Sequence, residues 1–335
     1  MRNRIYHQWS QQFLISNGDQ TYIRTTSSGD ETTVLSEAQS YGMLLTVYAA
    51  QKGQANQENF DSLYRYYKNH RLEGTQLMSW KQVIKNGQET VEKHNATDGD
   101  LYIAYSLIEA AKQWPDKAQE YEGQAKSILI DILRFNYNED TGVLKVGNWA
   151  KKNTDFYYLM RTSDTLPHYF QVFYNLSGDE QWLDIKDKML GQLEQISSQS
   201  ETGLLPDFIW VEKSGARVAD ANTIESQYDG AYSYNACRLP YHLAQSRDER
   251  SQKIVQKMMD FFMKEKRIYA GYDLQGHALN QYQAGSFLAP ITYAANTVEG
   301  NLKLLQQNKY IFTQDLPLDN YYDATMITMI ALELF

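Results

Sequence analysis

The sequence is poor in cysteine, in basic residues and in long apolar runs, and each shortage excludes a class of protein. A single Cys in 335 residues allows neither an intrachain disulfide framework nor a cysteine-rich zinc site. Acidic residues outnumber basic ones by 41 to 32, which gives a formal net charge of −9, so nucleic-acid binding is not expected. The mean hydropathy is −0.59 and no apolar run reaches about 18 residues, so no membrane span is expected.

Tyrosine is the residue in excess, with 26 Tyr against 12 Phe and 6 Trp. Tyrosine fills cores while its hydroxyl finds a hydrogen-bond partner, and it also lines clefts that bind sugars. Composition alone favours the packing role.

Helical periodicity dominates the chain and predicts about a dozen helices. They lie near residues 2–15, 36–51, 57–69, 98–113, 116–135, 163–176, 179–197, 230–245, 249–265, 284–296, 298–307 and 321–334. Strand signals are limited to Lys145–Trp149 and Phe208–Val211, and no βαβ alternation occurs. We therefore predict one all-α domain over residues 1–335, whose twelve helices in six hairpins can close into an α/α toroid.

Several helix ends are readable from the residue types. Ser36-Glu37 and Thr97-Asp98-Gly99-Asp100 have the composition of helix N-terminal caps. Gly53 and Gly178 stand where a helix should stop. The first two segments also carry acidic residues that are candidates for chemistry.

Three acidic segments are candidates for a catalytic site. Glu37 precedes an apolar helix, where it can act as a capping carboxylate or, if desolvated, as a general acid. Asp98 and Asp100 flank a glycine in a pattern that does not match a calcium loop, and His94 nearby is a weak sign of a metal. Glu225 and Asp229 lie in a polar loop ahead of Arg238, which can act as their ion-pair partner.

The first two segments carry a family resemblance. SEAQSYGM and ATDGDLYIAYSLIEAAKQW closely resemble the two hallmark segments of glycoside hydrolase family 8. Further stretches resemble the same family in the same order: LMSWK, TSDTLPHYFQVF, GLLPDF, YNACRLP and YYDATMITMIALEL. The resemblance extends from about residue 8 to 335.

The resemblance implies an (α/α)6 barrel and an inverting hydrolase of β-1,4-linked glycans. Inversion requires a protonated acid and a carboxylate base about 6.5–9.5 Å apart. No metal or cofactor is expected, because two carboxylates supply both proton transfers. By position, Glu37 matches the general acid and Asp98 the residue that holds the sugar at the cleavage point. The substrate-binding residues implied by the same motifs are Tyr41, Trp80, Trp149, Asp164, Tyr234, Asn235 and Arg238.

The position of Asn235 bears on the identity of the base. Cellulase-type members carry Asp there, and an amide cannot take a proton from water at neutral pH. The departure resembles the chitosanase- and lichenase-type branch, whose base is a Glu ten residues earlier in a run like E-S-x-x-D-G-x-Y. Glu225 occupies that place, with Asp229 in reserve. Asp164 also points to this branch.

The expected activity is endo-acting cleavage of chitosan, β-glucan or an amino-sugar exopolysaccharide. Asn235 keeps open the alternative of a glycan-binding protein that has lost its base. A toroidal zinc enzyme is disfavoured by the single Cys. We expect a monomer that acts outside the cell or at its surface, although residues 1–17 show no apolar signal core. Tyr41, Tyr232 and Tyr234 are expected in the cleft, and Tyr48, Tyr102 and Tyr105 in the core.

Overall fold

A computed structural model describes residues 2–26 and 29–335 of the chain. Twelve α-helices form among these residues, one at each predicted position. They are α1 (Arg2–Phe13), α2 (Ser36–Gln51), α3 (Gln57–Asn69), α4 (Thr97–Gln113), α5 (Ala118–Phe135), α6 (Pro167–Ser177), α7 (Gln181–Ser197), α8 (Leu239–Ala244), α9 (Glu249–Phe262), α10 (Gly285–Thr297), α11 (Leu302–Asn308) and α12 (Tyr321–Leu334). None of these helices is long and apolar enough to cross a membrane.

The residues group into two compact units. One comprises Met1–Asn136, Gly147–Trp149 and Gln314–Phe335. Within it α1 packs on α12, α2 on α3 and α4 on α5, and α2 also packs on α4.

The second unit comprises Tyr137–Val146 and Ala150–Thr313. Its helices pair as neighbours along the chain, α6 with α7, α8 with α9 and α10 with α11. Each unit thus contains three helical pairs, although α1 pairs with the last helix rather than with the next one. The single-domain organisation over residues 1–335 stays a prediction.

Short antiparallel strands accompany the helices of both units. The first unit has the hairpin β1 (Leu14–Asn17) and β2 (Gln20–Ile23), and a sheet of β3 (Glu31–Leu35), β4 (Lys81–Lys85) and β5 (Gln88–Val91). The second has a sheet of β6 (Leu159–Arg161), β7 (Phe208–Glu212) and β8 (Gly215–Val218). The prediction of a strand at Phe208–Val211 is therefore confirmed.

Two sequence predictions of local structure are wrong. Lys145–Trp149 is not a strand; the Asn148 amide donates to the side-chain oxygen of Asn95 at 2.8 Å instead of to a neighbouring strand. The helix predicted over 230–245 begins only at Leu239, after a 3-10 turn at Ala236–Arg238. Before that turn, the Tyr232 backbone pairs with the backbone of Tyr272.

The helix ends follow the glycines rather than the predicted caps. Gly53 and Gly178 have φ of 74° and 72° at the ends of α2 and α6, which confirms both as stops. The N-caps of α2 and α4 are Leu35 and Ala96, and neither end has a side-chain cap bond. The cap predictions for Ser36 and Thr97 are therefore wrong.

The core accounts for most of the tyrosine excess. Tyr48, Tyr102 and Tyr105 are buried as predicted. Tyr232 is also fully buried, with its ring against Phe262 and Phe287, so the prediction that it lines a cleft is wrong.

Candidate active site

Two of the predicted catalytic residues, Glu37 and Asp98, lie in the first unit at the starts of α2 and α4. Glu37 lies in the first turn of α2, half-buried, and its carbonyl oxygen accepts a hydrogen bond from the Ser40 hydroxyl at 2.6 Å. Asp98 lies in the first turn of α4 and is almost fully buried. Its Oδ1 accepts a hydrogen bond from the Gly99 amide at 2.8 Å.

A close helix contact brings these two segments together. A Cβ on Gly99 would lie 2.8 Å from Ser36 Cβ and 3.0 Å from the Ser36 carbonyl carbon, so the α2–α4 approach requires a glycine. One turn further along, Tyr41 and Tyr102 pack edge to face with ring centroids 4.7 Å apart. Tyr41 is thus buried in this helix contact, with 1% of it exposed, so the prediction that it lines a cleft is wrong.

A buried polar network beneath Asp98 was not predicted from the sequence. The Asp100 carboxylate accepts hydrogen bonds from the Met78 amide and from Asn95 Nδ2, both at 2.8 Å. Burial raises the pKa of Asp100 to about 8. Asn95 in turn exchanges two hydrogen bonds with Asn148, amide to side-chain oxygen in each direction. The segments that carry Trp80 and Trp149 are therefore tied to the start of α4.

Both tryptophans predicted to bind sugar rings are partly exposed. Trp80 is 38% exposed, and its carbonyl oxygen accepts a hydrogen bond from the Ser36 amide at 2.9 Å. Trp149 is half-buried. Partly exposed indole rings held by backbone bonds are suited to contact a sugar ring.

Glu225 lies in the second unit on the loop after β8. Its Oε1 accepts a hydrogen bond from Arg161 Nη2 at 2.9 Å, and its Oε2 accepts one from Asn235 Nδ2 at 2.8 Å. The side chain is still 44% exposed. Glu225 is therefore an oriented carboxylate that solvent can reach.

Asp229, the reserve candidate, holds the same loop. Its carboxylate accepts hydrogen bonds from the amides of Ile224, Glu225 and Ser226 at 2.7, 3.0 and 2.9 Å. The residue is fully buried. These three bonds fix the backbone on which Glu225 is carried.

A second buried aspartate, Asp207, organises the segment that carries Asn235. Its Oδ1 accepts hydrogen bonds from the amides of Ser233, Asn235 and Ala236 at 3.1, 3.1 and 2.7 Å. Burial raises the pKa of Asp207 to about 7, and the nearby charge of Glu225 contributes in the same direction. Asp207 lies in GLLPDF, a resembling segment in which no residue was singled out.

Arg238 completes this cluster from the 3-10 turn before α8. Its Nη2 donates to Asn235 Oδ1 at 2.9 Å and to Ser163 Oγ at 2.8 Å. The amide of Asn235 is thereby oriented with its oxygen toward Arg238 and its nitrogen toward Glu225. Cys237, between them, is buried and its Sγ donates to the Tyr234 carbonyl at 3.3 Å.

Asp164 and Tyr234 differ in exposure. Asp164 is fully buried, and its Oδ1 lies 4.0 Å from Arg161 Nη1. Tyr234 is 37% exposed, and its hydroxyl lies 3.1 Å from that of Tyr282. The second unit therefore gathers Asp164, Glu225, Asn235 and Arg238 into one set of contacts, with Arg161 and Asp207 as additional members.

Within the described ranges no group of three or more His, Cys, Asp and Glu side chains is placed to hold a metal ion. The first unit thus presents two carboxylates on adjoining helix starts together with partly exposed indoles. The second presents an exposed, oriented carboxylate with its supporting network. Carboxylates and aromatic rings of this kind are the groups that glycoside hydrolysis uses.

Comparison with solved structures identifies the fold. A beta-1,3-1,4-glucanase from Paenibacillus sp.X4 matches with a TM-score of 0.88 and 29% sequence identity, over 99% of this chain and 89% of that one. An endo-beta-1,4-glucanase from Acetobacter xylinum matches with a TM-score of 0.73 and 22% identity, over 99% of this chain and 98% of that one. The prediction of an all-α, (α/α)6 fold is confirmed.

Comparison of sequences gives the family. A beta-glucanase from Niallia circulans is 33% identical over 332 residues, which cover 95% of this chain and 80% of the relative. Endoglucanase A from Acetivibrio thermocellus is 30% identical over 309 residues, which cover 87% of this chain and 60% of the relative. The model of glycosyl hydrolases family 8 matches residues 1–333. The chain therefore belongs to glycosyl hydrolases family 8, and it is a glycosidase.

Proposed function

We propose that this glycosidase cleaves a mixed-linkage β-glucan with inversion, using Glu37 as general acid and Glu225 as general base. The substrate is suggested by the beta-glucanase and the beta-1,3-1,4-glucanase among its relatives. The inverting chemistry and the role of Glu37 follow from the resemblance of SEAQSYGM to the family's hallmark segment.

The geometry of Glu225 is the observation that carries the proposal. A general base must be ionised, oriented and within reach of water. Both oxygens of Glu225 accept hydrogen bonds, from Arg161 and Asn235, and 44% of the side chain is open to solvent. Asp229 lacks this access because it is buried and its oxygens accept three backbone amides.

The amide at position 235 supports the lichenase-like branch. Asn235 donates to Glu225 and accepts from Arg238, so it acts as a bridge that orients the base. A carboxylate at the same place would face Glu225 with a like charge. The Asn235 side chain therefore suits a site in which Glu225, and not residue 235, takes the proton from water.

Asp98 is proposed to hold the sugar at the cleavage point, with Trp80 and Trp149 binding neighbouring rings. The support is local. Asp98 is fixed at the start of α4, while the two indoles are partly exposed on segments joined to that start through Asp100 and Asn95. Ordered groups of this kind keep a substrate in one orientation at low entropic cost.

Hydrolysis of a glycan panel tests the proposal. We expect wild type to release reducing ends from mixed-linkage β-glucan faster than from chitosan, xylan or carboxymethyl cellulose. Glu37→Gln and Glu225→Gln should each lose about 10²–10⁴-fold in kcat while still binding the polymer. Glu201→Gln, on an exposed turn, is the matched control and should remain active.

The same preparations test whether the cleavage inverts the anomeric centre and whether the protein only binds glycan. NMR of the first product should show the α-anomer, since inversion converts a β-linkage to an α-hemiacetal; a β-anomer would contradict the mechanism. Polymer binding without release of reducing ends from any glycan would establish the glycan-binding alternative instead.

A further inference from the structure

A pocket of about 270 Å³ opens on the sheet of β6, β7 and β8 in the second unit. It is lined by Asp155, Tyr158, Trp210, Glu212, Arg217 and Asp220. None of these residues belongs to the cluster around Glu225, and no role was predicted for them from the sequence.

The register of the sheet relates this pocket to Glu225. Arg161, which binds Glu225, pairs with Phe208, and its guanidinium lies 5.4 Å from the centre of that ring. Directly paired residues of antiparallel strands point to the same face, as do residues two apart on one strand. Trp210 therefore shares a face with Arg161 and Phe208, one step of about 7 Å further along β7.

Trp210 gives the pocket an apolar platform. Its indole is partly exposed, with Phe156 tilted against it at 6.3 Å and the Arg217 guanidinium 5.9 Å from the ring centre. Tyr158 is held in place by a hydrogen bond from its hydroxyl to Asp140 at 3.0 Å. Rings fixed in this way offer a contact surface without further loss of side-chain entropy.

The charges around the ring favour a ligand that donates hydrogen bonds. Three carboxylates stand beside one guanidinium, and Arg217 lies 3.5 Å from Glu212 and 3.7 Å from Asp220. Asp155 is exposed. Sugar hydroxyls donate to such oxygens, whereas a polyanion would be repelled.

We propose that this pocket is a subsite for a distal sugar of the glycan chain, with Trp210 contacting the ring and the carboxylates accepting its hydroxyls. The proposal rests on the proposed function, because it takes the ligand to be the chain that Glu225 helps to cleave. The spacing along β7 places the subsite on the same sheet face as the group that orients the base. Binding there would matter for long chains and not for short ones.

Kinetics on two substrate lengths test the subsite. Trp210→Ala should lower kcat/KM for mixed-linkage β-glucan polymer by about tenfold, the change expected for one lost aromatic contact. On the shortest oligosaccharide that wild type cleaves, the kcat/KM of Trp210→Ala should differ from that of wild type by less than about twofold. Trp210→Phe should restore most of the polymer activity, and Tyr310→Ala, an exposed aromatic outside the pocket, should match wild type on both. Equal losses on both substrates, or no loss on the polymer, would overturn the proposal.

Two further measurements keep the result decisive. If Trp210→Ala is unstable by circular dichroism, Asp155→Ala replaces it, with an expected loss of about threefold on the polymer alone; no loss would count against the subsite. If wild type cleaves no glycan, the proposed hydrolysis fails, and retardation in gels containing β-glucan decides the subsite separately. Retardation that Trp210→Ala weakens supports it, while unchanged or absent retardation in wild type and variant refutes it.

Discussion

Replacement of Asp229 by Asn tests whether Asp229 supports the proposed base, Glu225, or is itself the base. In wild type Oδ2 accepts the amides of Ile224 and Glu225, and Oδ1 accepts the amide of Ser226. An asparagine offers one oxygen, so either one or two of these amides would face its NH2 group. Hydrogen bonds to a charged acceptor contribute about 1.5–3 kcal/mol each. We therefore expect the free energy of unfolding to fall by about 2–4 kcal/mol.

The same change should reduce activity without removing the chemistry. A displacement of about 1 Å in a catalytic group costs on the order of 10²-fold in rate. Asp229→Asn should therefore keep measurable hydrolysis, and formate should not increase it, because the Glu225 carboxylate is still present. Glu225→Ala removes the proposed base and leaves room for a small carboxylate, so formate should restore part of its rate.

Urea denaturation gives the free energy of unfolding, and initial rates with and without formate give the activity, from the same preparations. The reasoning fails if Asp229→Asn is as stable as wild type and as inactive as Glu225→Ala, and if Asp229→Ala, which leaves room for a small carboxylate, is rescued by formate. That result would make Asp229 the base.

Four other perturbations test separate features. Burial raises the pKa of Asp207 from 3.8 to about 7. The protonated carboxyl therefore stabilises the fold fully below about pH 4, and this contribution is lost as the pH rises through 7. The free energy of unfolding, measured by urea denaturation, should fall less steeply over this pH range in Asp207→Asn than in wild type. Gly99→Ala should destabilise by about 1–3 kcal/mol by overpacking, measured by the same method. Trp80→Ala should raise KM for the polymer about tenfold with little change in melting temperature. Asn235→Asp should move the acidic limb of the pH–rate profile to higher pH, because the new carboxylate and Glu225 would be adjacent and would not both ionise readily.

The helices could be predicted from the sequence because their apolar residues repeat at helical spacing. α9 illustrates this: Ile254, Val255, Met258, Met259 and Phe262 form its buried face and recur at intervals of three and four. Glycines at Gly53 and Gly178 marked helix ends through a backbone conformation that other residues adopt with difficulty.

The exceptions arise where distant side chains bind the backbone. Residues 230–235 have helical composition, yet Asp207 accepts the amides of Ser233 and Asn235 and the backbone of Tyr232 pairs with that of Tyr272. Asn95 similarly takes the backbone of Asn148 out of any strand ladder. Such contacts depend on the tertiary fold, which periodicity does not encode.

The candidate site was accessible from sequence only in part. The motifs brought Glu37, Asp98 and Glu225 to attention, but they left Glu225 and Asp229 as alternatives four residues apart. They differ in the structure by exposure, since Glu225 is 44% exposed and Asp229 is buried, and by the three backbone amides that Asp229 accepts. Arg161, Asp207 and Asn95 were missed because each acts through the group it contacts. A polar residue inside an apolar run, as in GLLPDF, is the signal that could have drawn attention to Asp207.

The burial of Cys237 gives the protein an internal reporter of local opening. The chain has one thiol. It lies two residues after Asn235, which donates to the proposed base Glu225, and its Sγ donates a hydrogen bond to the Tyr234 carbonyl. A thiol reagent can reach it only when that turn opens transiently, so the labelling rate measures the opening equilibrium of the segment. Bound substrate that holds Asn235 and Arg238 in place should slow the labelling. A single chemical modification, without any engineered probe, can therefore follow ligand binding at the segment that carries Asn235 and Arg238.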